Sequence, residues 1–364
     1  MRSRRARRVA FAVLYAVGLL AFLEVASRWI LGSKERVARL GSPVDDPSWR
    51  RAWVLRREPG RPLRFGFDVP HPTRGWTLRP SLRAERTPEG WAVSSTARGA
   101  RGRIEPAVPK PAGTVRIVAL GDSFTFGEGV EDDQTFPHHL GGLLPGVDVV
   151  NLGVHGYGHD QMLVTLREEG PAYEPDLVVL GYVTDDALRN VLAFRDFAKP
   201  RFELVDGQLE RRGTPVPSPD AVLRSEARRS RLVDVLTMLS QRLSYRLGPR
   251  RREMERVTLA ILAELAATSS RLGASFAIVD LPVWRELDIP DPRPTERERT
   301  VESFCAARQI PYLRLRPLLL AERRRGVGMS TSAHWGPGEH RLAASAIGDF
   351  VRSRRLLVSP RSAP

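Results

Sequence analysis

The chain has 364 residues, 42% of them hydrophobic, so it can bury a sizeable core and is not a disordered polymer. Its formal net charge is +15, yet only Lys34, Lys110 and Lys199 are lysines among 57 basic residues. The arginines are scattered, no nucleic-acid module is present and aromatics do not interleave with the basic runs, so specific nucleic-acid binding is excluded and the arginines read as solvated faces with stems over apolar surface.

Arg2, Arg4, Arg5, Arg7 and Arg8 precede an unbroken apolar run from Val9 to Leu23. That run alone is short for a bilayer. Continued to Leu31 it gives roughly 35 Å of helix and takes in Glu24 and Arg28, which are spaced to pair. The arginine cluster places the N-terminus in the cytoplasm and the rest of the chain outside. A cleaved signal peptide has a similar apolar core, but no convincing small-x-small site comes after the run. The expectation is an uncleaved anchor over residues 9–31 in a bacterial-type inner membrane, with a periplasmic domain beyond it. A buried soluble helix would leave the leading arginines unexplained.

Residues 1–32 thus form the basic end and anchor. Residues 33–114, rich in Arg, Pro, Gly and Trp, read as a tether and a small irregular or β-rich segment packed on the main domain. His71-Pro-Thr-Arg-Gly-Trp76 and Trp91 supply its apolar contacts, and Pro106, Pro109 and Pro111 mark a boundary. The main domain spans 115–356, and 357–364 is a tail.

Within 115–356 short apolar runs alternate with helical patterns. Strands are predicted at Val115–Leu120, Val147–Asn151, Leu177–Tyr182, Ala274–Leu281 and Pro311–Leu315. Helices are predicted at Gln134–Leu144, His159–Glu169, Glu253–Leu272, Arg297–Arg308 and from Pro337 to about Arg354. Residues 195–252 form an insertion, with a hairpin turning at Asp206-Gly207 and an Arg-rich helix over Leu232–Leu247. Cys305 falls on an amphipathic helix and reads as a small core residue. With one cysteine, neither an internal disulfide nor a Cys-based zinc site is possible. The alternation implies a mostly parallel sheet covered on both faces, with ligands outside the carboxyl ends of its strands.

Four clusters fall on that rim. Gly121-Asp122-Ser123-Phe124 comes after strand one, so Ser123 sits on a strand-to-helix turn where its amide can face an oxyanion. Taken alone, such a tetrapeptide reads as a capped turn. Asn151-Leu-Gly153-Val-His155-Gly156 comes after strand two, and the Gly156 amide can approach a ligand closely. Thr184-Asp185-Asp186 comes after strand three. His334-Trp335-Gly336-Pro337 comes after strand five, where His334 can serve as the base that a serine nucleophile needs. Of the remaining histidines, His138 and His139 read as surface or half-buried, His155 and His159 as loop packing or substrate contacts, and His340 as structural. No spacing suits zinc, and neither a metal nor another cofactor is expected.

The stretches GDSFTFGEGVEDDQTFP, NLGVHGYGHDQ and PDLVVLGYVTDDALRN, with the upstream HPTRGWTLRP, resemble the SGNH/GDSL hydrolase superfamily, and within it the bacterial membrane-anchored branch. The resemblance covers about 115–192 and 311–352. It implies a flavodoxin-like three-layer α/β/α sandwich with a five-stranded parallel sheet. It also implies Ser123 as nucleophile and an oxyanion hole from the Ser123 amide, a block-two glycine amide and a block-three asparagine. A C-terminal histidine would be the base, oriented by an aspartate two or three residues earlier.

Two positions depart from that pattern. Asp185 stands where the asparagine belongs. Losing an oxyanion donor costs about 10²–10³ in rate, and an ionised carboxylate would repel the oxyanion by roughly 4 kcal/mol at 4 Å and an effective dielectric of 20. A buried, protonated Asp185 beside Asp186 would avoid the repulsion. The orienting aspartate is also missing, with Thr331 and Ser332 in its place. Ser332, a backbone carbonyl or Asp280 are stand-ins.

The leading expectation is a serine esterase acting on an O-acyl group of an envelope glycan or lipid, or another ester-bearing small molecule. An O-acyltransferase would use the same residues. A degenerate SGNH domain that binds a glycan or a partner protein is the reading of another class.

Overall fold

The computed structural model describes residues 2–57, 63, 65–326, 330 and 333–357. Three helices open the chain: α1 (Arg2–Leu31), α2 (Lys34–Leu40) and α3 (Asp46–Arg56). Two small antiparallel pairs come next, β1 (Asp68–His71) with β2 (Gly75–Leu78) and β3 (Glu85–Arg86) with β4 (Ala92–Val93). Then come β5 (Val115–Leu120), α4 (Ser123–Phe126), α5 (Phe136–Leu143), β6 (Val147–Asn151), α6 (His159–Tyr173), β7 (Leu177–Tyr182) and α7 (Asp186–Arg189). The insertion holds β8 (Phe194–Arg195), β9 (Phe197–Ala198), the hairpin β10 (Arg201–Val205) and β11 (Gln208–Arg212), α8 (Pro219–Ala227) and α9 (Arg231–Leu247). The chain closes with α10 (Pro249–Arg271), β12 (Ser275–Asp280), α11 (Trp284–Leu287), α12 (Glu296–Ala307), β13 (Tyr312–Arg314), α13 (Arg316–Arg324) and α14 (Pro337–Ser353).

The central sheet is five-stranded and parallel, in the order β13-β12-β7-β5-β6. Its three central strands, β12, β7 and β5, are buried on both faces, and the alternation of their side chains shows it. Ile117, Val179 and Val279 pack on one side with α5, α13 and α14. Val118, Leu120, Val178, Leu180 and Ile278 pack on the other with α6 and α10. Sequence order reverses between β5 and β7, which puts the switch-point crevice beside the end of β5.

The stretch read as a tether contains α2 and α3 instead. Both start on side-chain caps: Ser33 accepts from the Arg36 amide and Asp45 from the Ser48 amide. Strand five does not lead directly to His334, because α13 intervenes. Nor are all the arginines solvated. Arg116, Arg316 and Arg101 are 0%, 1% and 5% exposed, and each is bonded to a carboxylate and to backbone carbonyls. The guanidinium suits that role, since its fork satisfies several acceptors at once.

Helix α1 is long and apolar enough to cross a membrane over Arg4–Leu31, and its apolar surface is uncovered. The paired residues expected at its end do meet, with Arg28 Nε 2.8 Å from Glu24 Oε1.

Candidate active site

Ser123 opens α4 directly beyond β5. Asp122 caps that turn by accepting from the Phe124 amide at 3.0 Å. Gly121 and Gly181 must lack side chains here, because a Cβ on either would meet Thr125 Oγ1 at 2.0 or 2.2 Å. The one-turn helix ends at Gly127, which is left-handed with φ +85. The amides of Gly127 and Glu128 both donate to the Ser123 carbonyl at 2.9 Å. This reversal carries Glu128 back toward the serine.

His334 precedes α14 and is held by its neighbour. Trp335 is buried, its Nε1 donates to the Pro282 carbonyl at 3.1 Å, and its ring lies edge-on to Phe124 at 5.4 Å. Phe124 also contacts the His334 ring at 5.2 Å. His334 Nε2 lies 2.8 Å from Ser123 Oγ. His334 Nδ1 lies 3.8 Å from Glu128 Oε1. With Nε2 accepting the serine proton, the Nδ1 proton faces the carboxylate. Glu128 was not singled out from the sequence. The signal available was a glycine closing a single turn, which returns the next residue to the turn's start.

The block-two loop is fixed from several sides. Asn151 Nδ2 donates to the Thr125 carbonyl and its Oδ1 accepts from the Gly153 amide, both at 2.9 Å. Gly156 has φ +75, and a Cβ there would meet Asp196 Oδ2 at 2.5 Å, so the insertion borders this glycine. His155 packs rather than faces a ligand: it is 1% exposed, its Nε2 is 2.7 Å from Asp68 Oδ2, and Phe65, Phe67 and Phe126 surround its ring. Burial holds the Asp68 carboxyl above its usual range despite that partner. His159 is buried against Tyr182 and burial pushes it down to about 3. His340 accepts from the Phe136 amide through Nδ1 at 3.2 Å and is likewise pushed down to about 3 by burial.

Asp185 and Asp186 part company. Asp185 is not a buried acid. Its side chain is 40% exposed, is ion-paired with Arg285 and stands 4.0 Å from Arg297. Asp186 is fully buried, and Arg189 Nη1 sits 2.6 Å from its Oδ1. Burial pushes the Asp186 carboxyl well up, against the pull of Arg189. Arg189 also reaches Asp122 Oδ2 at 3.4 Å and the Tyr157 carbonyl at 2.7 Å, so one guanidinium ties blocks one, two and three together. Asp280 does not serve His334; its carboxylate accepts from the Tyr312 hydroxyl at 2.7 Å, and burial pushes it up to about 8. Thr331 and Ser332 lie outside the described residues. Beside Asp185 opens a cleft of about 1180 Å³, lined in part by Arg189, Arg242, Arg251, Arg252, Arg285 and Arg297. No cluster of three metal-ligating side chains occurs among the described residues.

Residues 119–337 match the sequence model of a family described as "GDSL-like Lipase/Acylhydrolase family". No curated protein matches the chain. Among solved structures, a member of the lipolytic protein G-D-S-L family from Veillonella parvula DSM 2008 is 13% identical, with 64% of this chain and 96% of that one covered and a TM-score of 0.40. A psychrotrophic esterase from Pseudoalteromonas sp. is 14% identical, with 66% and 98% covered and a TM-score of 0.39. A two-domain esterase active on acetylated mannans is 13% identical, with 70% of this chain and 53% of that one covered and a TM-score of 0.40.

Proposed function

The chain belongs to the GDSL-like lipase/acylhydrolase family, and on that premise we propose that it is a serine esterase working through an acyl-enzyme on Ser123. The observation that carries the reading is the 2.8 Å contact between His334 Nε2 and Ser123 Oγ. A serine hydroxyl is a weak nucleophile until a base takes its proton, and this geometry supplies one. Ser123 Oγ attacks the ester carbonyl as its proton passes to His334 Nε2. His334 then protonates the leaving alkoxide. Water, deprotonated by His334, releases the acid and restores the serine. Glu128, beside Nδ1, holds the ring and stabilises the imidazolium, the part an aspartate plays in better-known triads. The Ser123 and Gly156 amides are the proposed oxyanion donors. Asp185 does not oppose them strongly, since Arg285 and Arg297 balance its charge. Asp186 serves through Arg189 as a positioning residue.

The substrate we propose is an O-acyl ester, such as an O-acetyl group, on a cell-envelope glycan or lipid. The uncovered apolar surface of α1 and the five arginines in its first turns support a single-pass anchor, with the N-terminus cytoplasmic and residues 115–356 forming the hydrolase domain outside the inner membrane. The insertion at 195–252 borders the site through Asp196.

The test is labelling of the full-length protein in detergent or nanodiscs with a fluorophosphonate probe, which reports an activated serine without the natural substrate. Labelling of the wild type, lost in Ser123→Ala and His334→Ala, is the expected result. A folded wild type that resists the probe and every ester offered would overturn the enzyme reading in favour of a binding domain.

A further inference from the structure

Helix α9 is built inside out for a helix in water. Its side toward the protein packs Met238 and Val235 but also carries charge: Asp234 is fully buried and is bonded to Arg229 at 2.6 Å, Arg231 at 2.9 Å and Arg50 at 2.5 Å. Its outer side carries Val233, Leu236, Leu239, Leu243 and Leu247, which are 52–68% exposed. At 100° per residue these five fall within roughly 120° of the circumference, an apolar stripe interrupted by Ser240. A surface helix of a water-borne protein turns such a stripe inward.

The start of α9 is fastened to α1. The Glu24 carboxylate accepts from the Ser230 hydroxyl at 2.7 Å and from the Arg231 and Leu232 amides at 3.1 and 2.9 Å. The stripe therefore begins beside the last turns of the apolar helix, where Val25 and Trp29 are each 65% exposed. The two uncovered apolar surfaces adjoin. Arg228, ahead of the helix, and Arg246, next to the stripe on α9, are both exposed. Basic residues beside an apolar helical face suit the anionic headgroups of a lipid surface.

From these contacts we infer that the Val233–Leu247 face of α9 is seated in the lipid interface of the membrane that α1 enters, so that the domain is held down at two points. The inference rests on the reading of α1 as an anchor. The occupant is lipid rather than a second copy, because the Glu24 contacts fix the beginning of the stripe at the depth of α1.

The experiment uses full-length protein in vesicles of phosphatidylethanolamine and phosphatidylglycerol. Single cysteines are introduced as Leu236→Cys, Leu239→Cys or Leu243→Cys and labelled with a nitroxide; Cys305 is buried, and unsubstituted protein is the blank. Val17→Cys reports the anchor and Arg211→Cys, on the exposed hairpin, reports water. Collision with dissolved oxygen is compared with collision with a water-soluble nickel chelate. Helix α9 labels that favour oxygen over the chelate, as the Val17 label does, are expected. If Val17 reports lipid while the α9 labels behave like Arg211, the inference fails and the anchor stands. If Val17 itself reports water, the anchor reading falls and takes the inference with it. Helix α9 labels shielded from both reagents and broadened by a neighbouring spin would mean that a second copy covers the face, which also overturns it.

Discussion

Glu128 Oε1 stands 3.8 Å from the His334 nitrogen that faces away from Ser123. A carboxylate at that distance is worth roughly 4 kcal/mol to an imidazolium at an effective dielectric of 20. The acid arrives from the nucleophile's own turn and not from the residues before the histidine. Glu128→Gln should lower kcat/KM by about 10²–10⁴, mostly in kcat, as loss of an orienting acid does elsewhere. Glu128→Asp should recover part of it. Steady-state kinetics on a chromogenic ester decide the matter, and a Gln variant as fast as wild type would remove Glu128 from the mechanism.

Arg101 braces the back of the Ser123 turn. Its Nη1 donates to the Phe126 carbonyl at 2.7 Å and also to that of Gly127, its Nη2 donates to Val130 at 2.7 Å, and its Nε lies 3.3 Å from Asp132. Burial pulls the guanidinium down to about 10. Arg101→Met leaves Asp132 buried with the exposed Arg103 and the Ser94 amide beside it. A loss of about 3–5 kcal/mol is expected, read as a fall in denaturation midpoint together with weaker probe labelling.

Gly153 sits against backbone. A Cβ there would meet the Phe126 amide nitrogen at 2.3 Å, and a backbone atom cannot swing away as a side-chain tip can. Gly153→Ala should cost about 1–3 kcal/mol by overpacking. It should also shift the turn that carries Ser123, so labelling should fall further than stability does. Equal falls in both would mean the turn had not moved.

Buried titratable groups give stability a two-sided pH dependence. His159 and His340, pushed to about 3 by burial, are neutral in the fold but take up protons when unfolded below about 6.5. The unfolded state then binds more protons, so stability falls as pH drops from about 6.5 toward 3. Asp280 works oppositely. Its folded value of about 8 exceeds the ordinary 3.8, so the fold holds the extra proton and stability falls as pH rises between them. Asp280→Asn should raise the melting temperature increasingly from pH 4 to 8 and change it little below pH 4. A uniform offset across that range would sink the assignment.

The sheet was legible because its strands read as short, mainly apolar runs, and Val115–Leu120, Val147–Asn151 and Leu177–Tyr182 match their predicted bounds. The placement of Ser123 and His334 on one rim came from topology, although α13 was hidden before His334 by its arginines. Helices α2 and α3 were hidden for a similar reason. Their contacts run through Arg50, Arg51 and Asp45 as much as through apolar side chains, so they lack a clean stripe. Glu128 was illegible because its role depends on a left-handed glycine, not on spacing from the histidine. The sequence left Asp185 open between an ionised carboxylate and a buried acid because its partners, Arg285 and Arg297, lie about a hundred residues away in the chain.

On the anchoring proposed above, the Glu24 contacts leave no slack between α1 and the domain. Three donors at the head of α9 close on one carboxylate of α1, and Arg51 Nη2 reaches the Leu31 carbonyl at 2.8 Å. An enzyme on a loose leash sweeps a volume and responds to concentration. One bolted to its post works at a single height, and its turnover would track how many ester groups are displayed per unit area at that height. Cutting the chain after residue 32 would remove the Glu24 acceptor at the head of α9 and, with α9 seated in lipid as inferred, lift its leucines into water, so the freed domain would be stickier, not simply soluble.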